Sequence, residues 1–470
     1  MLTYNLEERK GPLYRRLYEC LRDDIRRGRL KAGEKLPSKR NLAENLGVST
    51  ITVENAYDQL AGEGFISTLP KRGYFVAQLP ETLEVQATRQ AKLRISMPKA
   101  AAEGIRFDFS NPSAEPEGFP FSVWARLLRE TISLKERELL QVPPCGGIRE
   151  LREAIAEHLA SFRGMAVDPR QIILGAGTEY LSGLLLQLLG RRRYCLENPG
   201  YRKIRQIYQS FGVETLLAGL DEQGLKVSEL RAGGGEVVHL SPTHHFPLGV
   251  TMSVSRRYEL LAWANEAEGR YIIEDDYDSE FRLRGKPLPT LQSLDAGGRV
   301  IYLNTFTRSL TPTIRVSYMV LPPKPANEFY ERLSFYACTV SNLQQYTLAE
   351  FIARGYFEKH INRRRQLYAR RRRKVAELLA RTFAPGEVRL WENETGLHFL
   401  LELCTPLTDA EVKRRLAARG LAISAVSDYD MAPQPEDRHL FIFNYAAPDT
   451  GAVEEAVKVL RAEVWGGRKG

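Results

Sequence analysis

A chain of 470 residues is too long for one ordinary hydrophobic core, so two or three domains are expected. With 43% hydrophobic and 27% charged residues it has a globular composition; no apolar run approaches the roughly 18 to 20 residues that cross a bilayer, and "MLTYNLEERKGPLY" lacks the core of a signal peptide, which together suggest the cytoplasm. The formal charge of +9 suits a partner carrying phosphates, whereas the scattered Cys20, Cys145, Cys195, Cys338 and Cys404 have no metal-ligand spacing and read as free buried thiols.

From Pro12, Leu13, Leu17, Leu21 and Ile25 recur at the spacing of an amphipathic helix, which Gly28 and the turn "LKAGEKLP" stop. Ser38 is a good N-cap for a second short helix ending at Gly47, and Ser49 caps a third that runs to about Gly62. "GFISTLPKRGYFVA" then alternates as two strands around a Lys71-Arg72-Gly73 tip. Two short helices joined by "LGVS" and followed by a hairpin make a winged helix-turn-helix, mostly α with a β-wing. Its third helix would enter the DNA major groove by its N-terminal end, presenting Ser49, Thr50 and Thr52. Lys39 and Arg40 would reach phosphates, and Arg72 makes the wing tip basic.

The stretch "LPSKRNLAENLGVSTITVENAYDQLAGEGFI" resembles the winged-helix domain of GntR-type transcription regulators. The resemblance implies DNA contacts at Arg40 and from Ser49 to Thr52, and an approach of Gly73 to the minor groove. Thr50, Ile51 and Glu54 depart from the residues that relatives often carry there. Base preference therefore does not transfer, but binding driven by phosphate contacts does.

Residues Gln78 to about Glu103 have weak periodicity and few aromatics, as a linker has. The expected division is a DNA-binding domain at 1–78, a linker at 79–104 and a large domain at 105–470. Within the large domain, "QIILGAG", "RRYCLEN", "EVVHLSP", "YIIEDDYD", "VIYLNTF" and "RVSYMVLP" alternate with helical stretches. Such spacing predicts an α/β domain with a mostly parallel sheet covered on both faces, its function at the carboxyl ends of the strands. "INRRRQLYARRRRKVAELL" reads mainly as the solvated face of a helix that packs through Leu367, Val375 and Leu378, with contact to DNA as the alternative.

Polar residues collect at those strand ends. Gly177, Thr178 and Glu179 open an apolar helix, where free N–H groups and the dipole favour a phosphate. Tyr201 offers an aromatic plate, "SPTHHFPLG" offers His244 and His245, and Asp275, Asp276, Tyr277 and Asp278 follow a buried strand, where carboxylates are costly without cationic partners. "IYLNTFTRSLTPTIRVSYMV" reads as strand, Ser/Thr-rich turn and strand, with Arg308 and Arg315 around one turn deep in an apolar fold. A phosphate cradle, an aromatic plate, an Asp and a Tyr from consecutive strand ends are what a phosphorylated pyridinium cofactor needs.

From Phe107 onward the chain resembles a fold-type-I aminotransferase domain with a small C-terminal α+β subdomain. Joined to the winged helix, it resembles the MocR/GabR subfamily of GntR regulators over nearly its whole length, carried by "GAGTE", "NPGY", "PTHHFPLGVTM", "EDDYDSEFR", "PLPTLQSLD" and "VIYLNTFTRSLTPTIRVSYMVLP". The resemblance implies that Gly177, Thr178, Glu179, Thr305, Thr307 and Arg315 cradle the phosphate of pyridoxal phosphate. It further implies that Tyr201 stacks on the ring, Asp275 faces the ring nitrogen, Tyr277 the ring oxygen, and His244 lies nearby. It implies as well a head-to-tail, domain-swapped homodimer that binds operator DNA and a small-molecule effector.

Arg308 stands where this family carries the lysine that forms a Schiff base, and no lysine lies between Lys286 and Lys324. A guanidinium with a pKa above about 12 supplies no free amine, so no internal aldimine forms there and no catalytic residue is expected. Ile442 stands about where aminotransferases carry the arginine for a substrate carboxylate; Arg202, Lys203, Arg308 and Arg438 are candidates to hold an effector. The sequence thus describes a transcription regulator that senses pyridoxal phosphate noncovalently, alone or with an amino compound. Two alternatives stay open: a pocket for a different anion without pyridoxal phosphate, and an active aminotransferase.

Overall fold

The computed structural model describes residues 3–4, 6, 11–70, 72–78, 104–110, 118–282, 288–391, 396–432, 437–446 and 450–466. Lys71 and the expected linker, apart from Gly104, lie outside them. The chain divides into two compact units, Met1–Lys99 and Ala100–Gly470.

In the first unit, α1 (Leu13–Arg26) buries Leu17, Tyr18, Leu21 and Ile25 along one stripe, as its periodicity requires. The Ser38 hydroxyl accepts from the Asn41 N–H (3.2 Å) and starts α2 (Lys39–Leu46); Ser49 accepts from the Thr52 N–H (3.1 Å) and starts α3 (Thr50–Gly62). Strands β1 (Ile66–Leu69) and β2 (Gly73–Val76) pair antiparallel from Ile66↔Val76 to Leu69↔Gly73. Leu17, Leu21, Val53 and Leu60 are wholly buried in the shared core, each contributing about 1.5–3 kcal/mol relative to exposure. Three helices and a wing form the expected winged helix-turn-helix.

The second unit begins with β3 (Phe107–Asp108) and is dominated by an eight-stranded sheet. Its strands are β4 (Ile172–Gly175), β5 (Tyr194–Asn198), β6 (Thr215–Asp221), β7 (Gly224–Leu225), β8 (Val237–Leu240), β9 (Tyr271–Asp275), β10 (Val300–Thr305) and β11 (Ser317–Val320). Their order is β4-β11-β10-β9-β8-β5-β6-β7, and only β11 and the short β7 run against their neighbours. Central strands are fully buried because helices cover both faces. The helices Thr178–Leu189, Arg202–Ser210 and Pro323–Arg332 pack with one face; Arg149–Arg163, Asn342–Ala353 and Tyr356–Thr382 belong to a separate core cluster. Sequence patterning missed β6 and β7: in β6, near the sheet edge, only Ala218 is fully buried, and β7 is two residues long.

A four-stranded antiparallel sheet of β12 (Val388–Trp391), β13 (His398–Leu403), β15 (Ser424–Ala425) and β16 (Leu440–Asn444), ordered β12-β13-β16-β15, forms the smaller α+β part with the helices Asp409–Ala418 and Thr450–Trp465; β14 (Leu421–Ala422) pairs in parallel with β3. The Arg-rich helix Tyr356–Thr382 buries Val375 and Leu378 and leaves Arg363, Arg370, Arg373 and Lys374 exposed, while Leu367 is only half-buried. Among the described residues no disulfide joins the cysteines; Cys404 is exposed rather than buried, and Cys20 and Cys145 are half-buried. Among the described residues no helix is long and apolar enough to cross a membrane.

Candidate functional site

The N-terminus of α3 exposes Ser49, Thr50 and Ile51, the last 66% accessible. Ser49 is less available to DNA than its position suggests. Its Oγ caps the helix and lies 2.8 Å from the Thr52 hydroxyl, so Thr50 and Ile51 are the side chains left to face a groove. Lys39 is also committed: its Nζ donates to Glu54 (2.6 Å), which raises its pKa, and lies 3.9 Å from Asp58. Arg40 and Arg72 are exposed and have no ion pair among the described residues. Gly73 starts β2 beside Lys35.

In the large unit the carboxyl ends of β4, β5, β8, β9 and β10 converge with the start of the antiparallel β11, because parallel pairing brings like ends together. After β4, Gly177 adopts φ +102° and opens the helix Thr178–Leu189. A Cβ there would fall 2.3 Å from an Arg315 nitrogen and 2.7 Å from Glu179 Oε2, the ends of two flexible side chains, so it is the positive φ that favours glycine at this position. Glu179 accepts hydrogen bonds from both Arg315 and Lys203. After β10, the Thr305 hydroxyl receives the Thr307 N–H (3.2 Å) and the Ser317 hydroxyl (2.8 Å), and itself donates to Thr307 Oγ1 (2.9 Å). The two groups sit on neighbouring strands, since Ser317 at the start of β11 pairs with Gly175 at the end of β4.

Asp275 ends β9. His239 Nε2 on β8 stands 3.6 Å from its Oδ2, and Tyr208 OH lies 2.7 Å from His239 Nδ1. Asp275 Oδ1 is buried and has no hydrogen-bond partner among the described residues. His244 Nδ1 lies 2.8 Å from Asp278 Oδ2 and 3.0 Å from Tyr277 OH, while its Nε2 is buried and unpartnered. Burial, followed by the neighbouring Asp278 charge, pushes the Tyr277 hydroxyl up. Asp276 is satisfied on its own account by Arg163 (2.5 Å) and Tyr302 (2.6 Å), an ion pair with both side chains buried. Beside these, burial pushes Glu197 up to about 8, although the Ser241 N–H donates to it (2.9 Å), and burial holds His245 down to about 3.

Arg308 and Arg315 do not lie deep in an apolar fold. The Arg308 side chain is exposed on the short helix Phe306–Ser309 and has no hydrogen bond or ion pair among the described residues, and Arg315 is 46% accessible. Each guanidinium stays hydrated because the turn carrying it is at the surface. The charge of Arg308 nevertheless reaches Tyr277, Tyr429 and His398. The remaining effector candidates divide: Lys203 is held by Glu179, whereas Arg438 donates to Asp430 (3.1 Å) and the charge of Arg202 acts on that same carboxylate. Tyr201 is half exposed, at the N-cap of the helix Arg202–Ser210.

Sequence reading missed His239, Glu197 and Gly396. A histidine in the buried run "EVVHLSP" and a glutamate in "RRYCLEN" were signals, since polar groups in central strands need partners. Gly396 had no local signal. At φ +80° its backbone lies against His244, and a Cβ would meet His244 Cε1 at 1.8 Å.

Residues 13–76 match the family described as bacterial regulatory proteins, gntR family, and residues 104–460 match aminotransferase class I and II. The chain is 36% identical to the HTH-type transcriptional regulator YdeL of Bacillus subtilis, covering 96% of each chain. It is 33% identical to the probable rhizopine catabolism regulatory protein MocR of Rhizobium meliloti, over 96% of this chain and 93% of that one. It is 34% identical to the pyridoxine biosynthesis transcriptional regulator PdxR of Corynebacterium glutamicum, over 88% of each. Among solved structures, a kynurenine aminotransferase from Pyrococcus horikoshii superposes with TM-score 0.68 at 25% identity, over 78% of this chain and 93% of that one.

Proposed function

This chain belongs to the MocR/GabR subfamily of the gntR family and is a DNA-binding transcription regulator with an aminotransferase-like domain, and from that premise we propose that the domain senses pyridoxal phosphate, alone or with an amino compound, without transaminase activity. The observation that carries the reading is Asp275, whose buried Oδ1 lacks a partner while His239 backs Oδ2. A protonated pyridine nitrogen is a donor of the right chemistry for that oxygen. Gly177, Thr178, Thr305, Thr307 and Arg315 would hold the phosphate, Tyr201 would cover the ring, and Tyr277, with His244 beside it, would bond the ring oxygen.

When bound, the group supplies an electron-withdrawing ring and an aldehyde able to meet an amine. The residues of this chain bind and orient it, but Arg308 offers no amine for attachment. That supports a sensor rather than a transaminase. A ligand with different affinities for two arrangements of the protein would shift their populations and so operator binding. We propose a homodimer as the functional form, supported by the exposed apolar side chains Leu134, Leu140, Val142 and Phe335. The alternative of a different anionic ligand is favoured by the Arg308 guanidinium, which has no hydrogen bond or ion pair among the described residues.

The test is a calorimetric titration of the full chain with pyridoxal phosphate, followed by borohydride treatment and mass spectrometry. Saturable binding without added mass is expected. No binding would move the assignment to the different anion, and added mass would show that another lysine has taken over.

A further inference from the structure

We propose that Glu179 is an internal counter-ion lodged in the anion cradle, which the phosphate of an incoming ligand must displace from Arg315. The inference rests on the pyridoxal phosphate reading and specifies what that phosphate would meet. The space over the start of the helix Thr178–Leu189 is already shared by a cation and an anion. An Arg315 nitrogen lies 2.3 Å, and Glu179 Oε2 2.7 Å, from where a Gly177 Cβ would stand.

Among the described residues Glu179 is the sole side-chain partner of Arg315, and Lys203 binds the other carboxylate oxygen. Burial works against the charged form of Glu179, but the Lys203 hydrogen bond and the Arg315 charge prevail and hold its pKa below the usual carboxylate range. At neutral pH the cradle therefore holds a fixed negative charge. A phosphate brought to Arg315 with Glu179 in place would stand beside that charge and be repelled.

The arrangement can open. Side-chain accessibilities of 46% for Arg315, 34% for Glu179 and 48% for Lys203 place the triad at the surface, so Glu179 can rotate outward without disturbing a core. Phosphorylated ligands must break the Arg315–Glu179 pair, whereas unphosphorylated ones need not. Glu179 thus sets how strongly the pocket holds a phosphate group.

The test compares the full-length protein with Glu179→Gln, which keeps the shape and removes the charge. Inorganic phosphate, pyridoxal phosphate and pyridoxal are titrated by calorimetry, with thermal unfolding to check the fold. Both phosphate-bearing probes should bind the variant about tenfold tighter or better, with pyridoxal unchanged. Glu179→Asp, whose carboxylate is drawn back by a methylene, should gain less.

Equal or weaker binding of both phosphate-bearing probes by Glu179→Gln overturns the proposal and makes Glu179 a positioning partner of Arg315. A gain shared equally by pyridoxal overturns it too. If inorganic phosphate tightens while pyridoxal phosphate binds neither protein, the counter-ion stands and the cofactor reading falls. No binding of any probe by either protein overturns both.

Discussion

His239 Nε2 stands 3.6 Å from Asp275 Oδ2, and the other oxygen of that carboxylate is buried without a partner. The pair spans the parallel β8–β9 ladder, in which His239 lies opposite Ile273, two residues before Asp275. The His239 ring thus stands beside one oxygen of the carboxylate, while among the described residues the other has no hydrogen-bond partner.

Asp275→Asn should weaken pyridoxal phosphate binding by about tenfold to a hundredfold, the range of a hydrogen bond to a charged group. A titration followed by absorbance checks it, with thermal unfolding as the fold control. Unchanged affinity would mean that Asp275 faces no ring nitrogen.

Arg308→Lys returns an amine to the turn after β10, at an exposed position where the substitution costs little packing. Incubation with pyridoxal phosphate and then borohydride should add the mass of the reduced cofactor to the variant and not to the parent chain. A variant that gains no mass would show that the Arg308 position does not face the aldehyde.

At the DNA module, Arg40→Ala and Arg72→Ala should each lower affinity for all sequences and flatten the logarithmic salt dependence by about one unit. Lys39→Ala should change that slope little, since Glu54 already holds the ammonium. Thr50→Ala should alter preference between sequences, whereas Ser49→Ala should cost about 1 kcal/mol of stability through the lost cap. Mobility shifts at several salt concentrations and thermal unfolding separate these outcomes.

Glu197 bears on stability against pH. Its folded pKa, about 8, lies above the ordinary value of 4.5, so its contribution is fully present below about pH 4.5 and is lost as pH rises through 8. Glu197→Gln should therefore raise the melting temperature most at pH 8 to 9, by on the order of 1 kcal/mol or more in stability, and hardly at all near pH 4.5. Parallel melting curves across that range would refute the assignment.

Much of this molecule was legible in its sequence because the governing signals are local. The stripe Leu17, Leu21 and Ile25, the caps Ser38 and Ser49, and the apolar runs of the central strands each report on neighbours within a few residues. The identity of Arg308 likewise needed no coordinates to remove the amine. The folded chain decided what those residues face. Strand order set His239 behind Asp275, the meeting of β4 with β11 brought Arg315 onto Glu179, and the surface turn left Arg308 solvated. Periodicity says which side of an element is apolar, but ion pairs join residues far apart in the chain, and only packing of the sheet selects which charges meet.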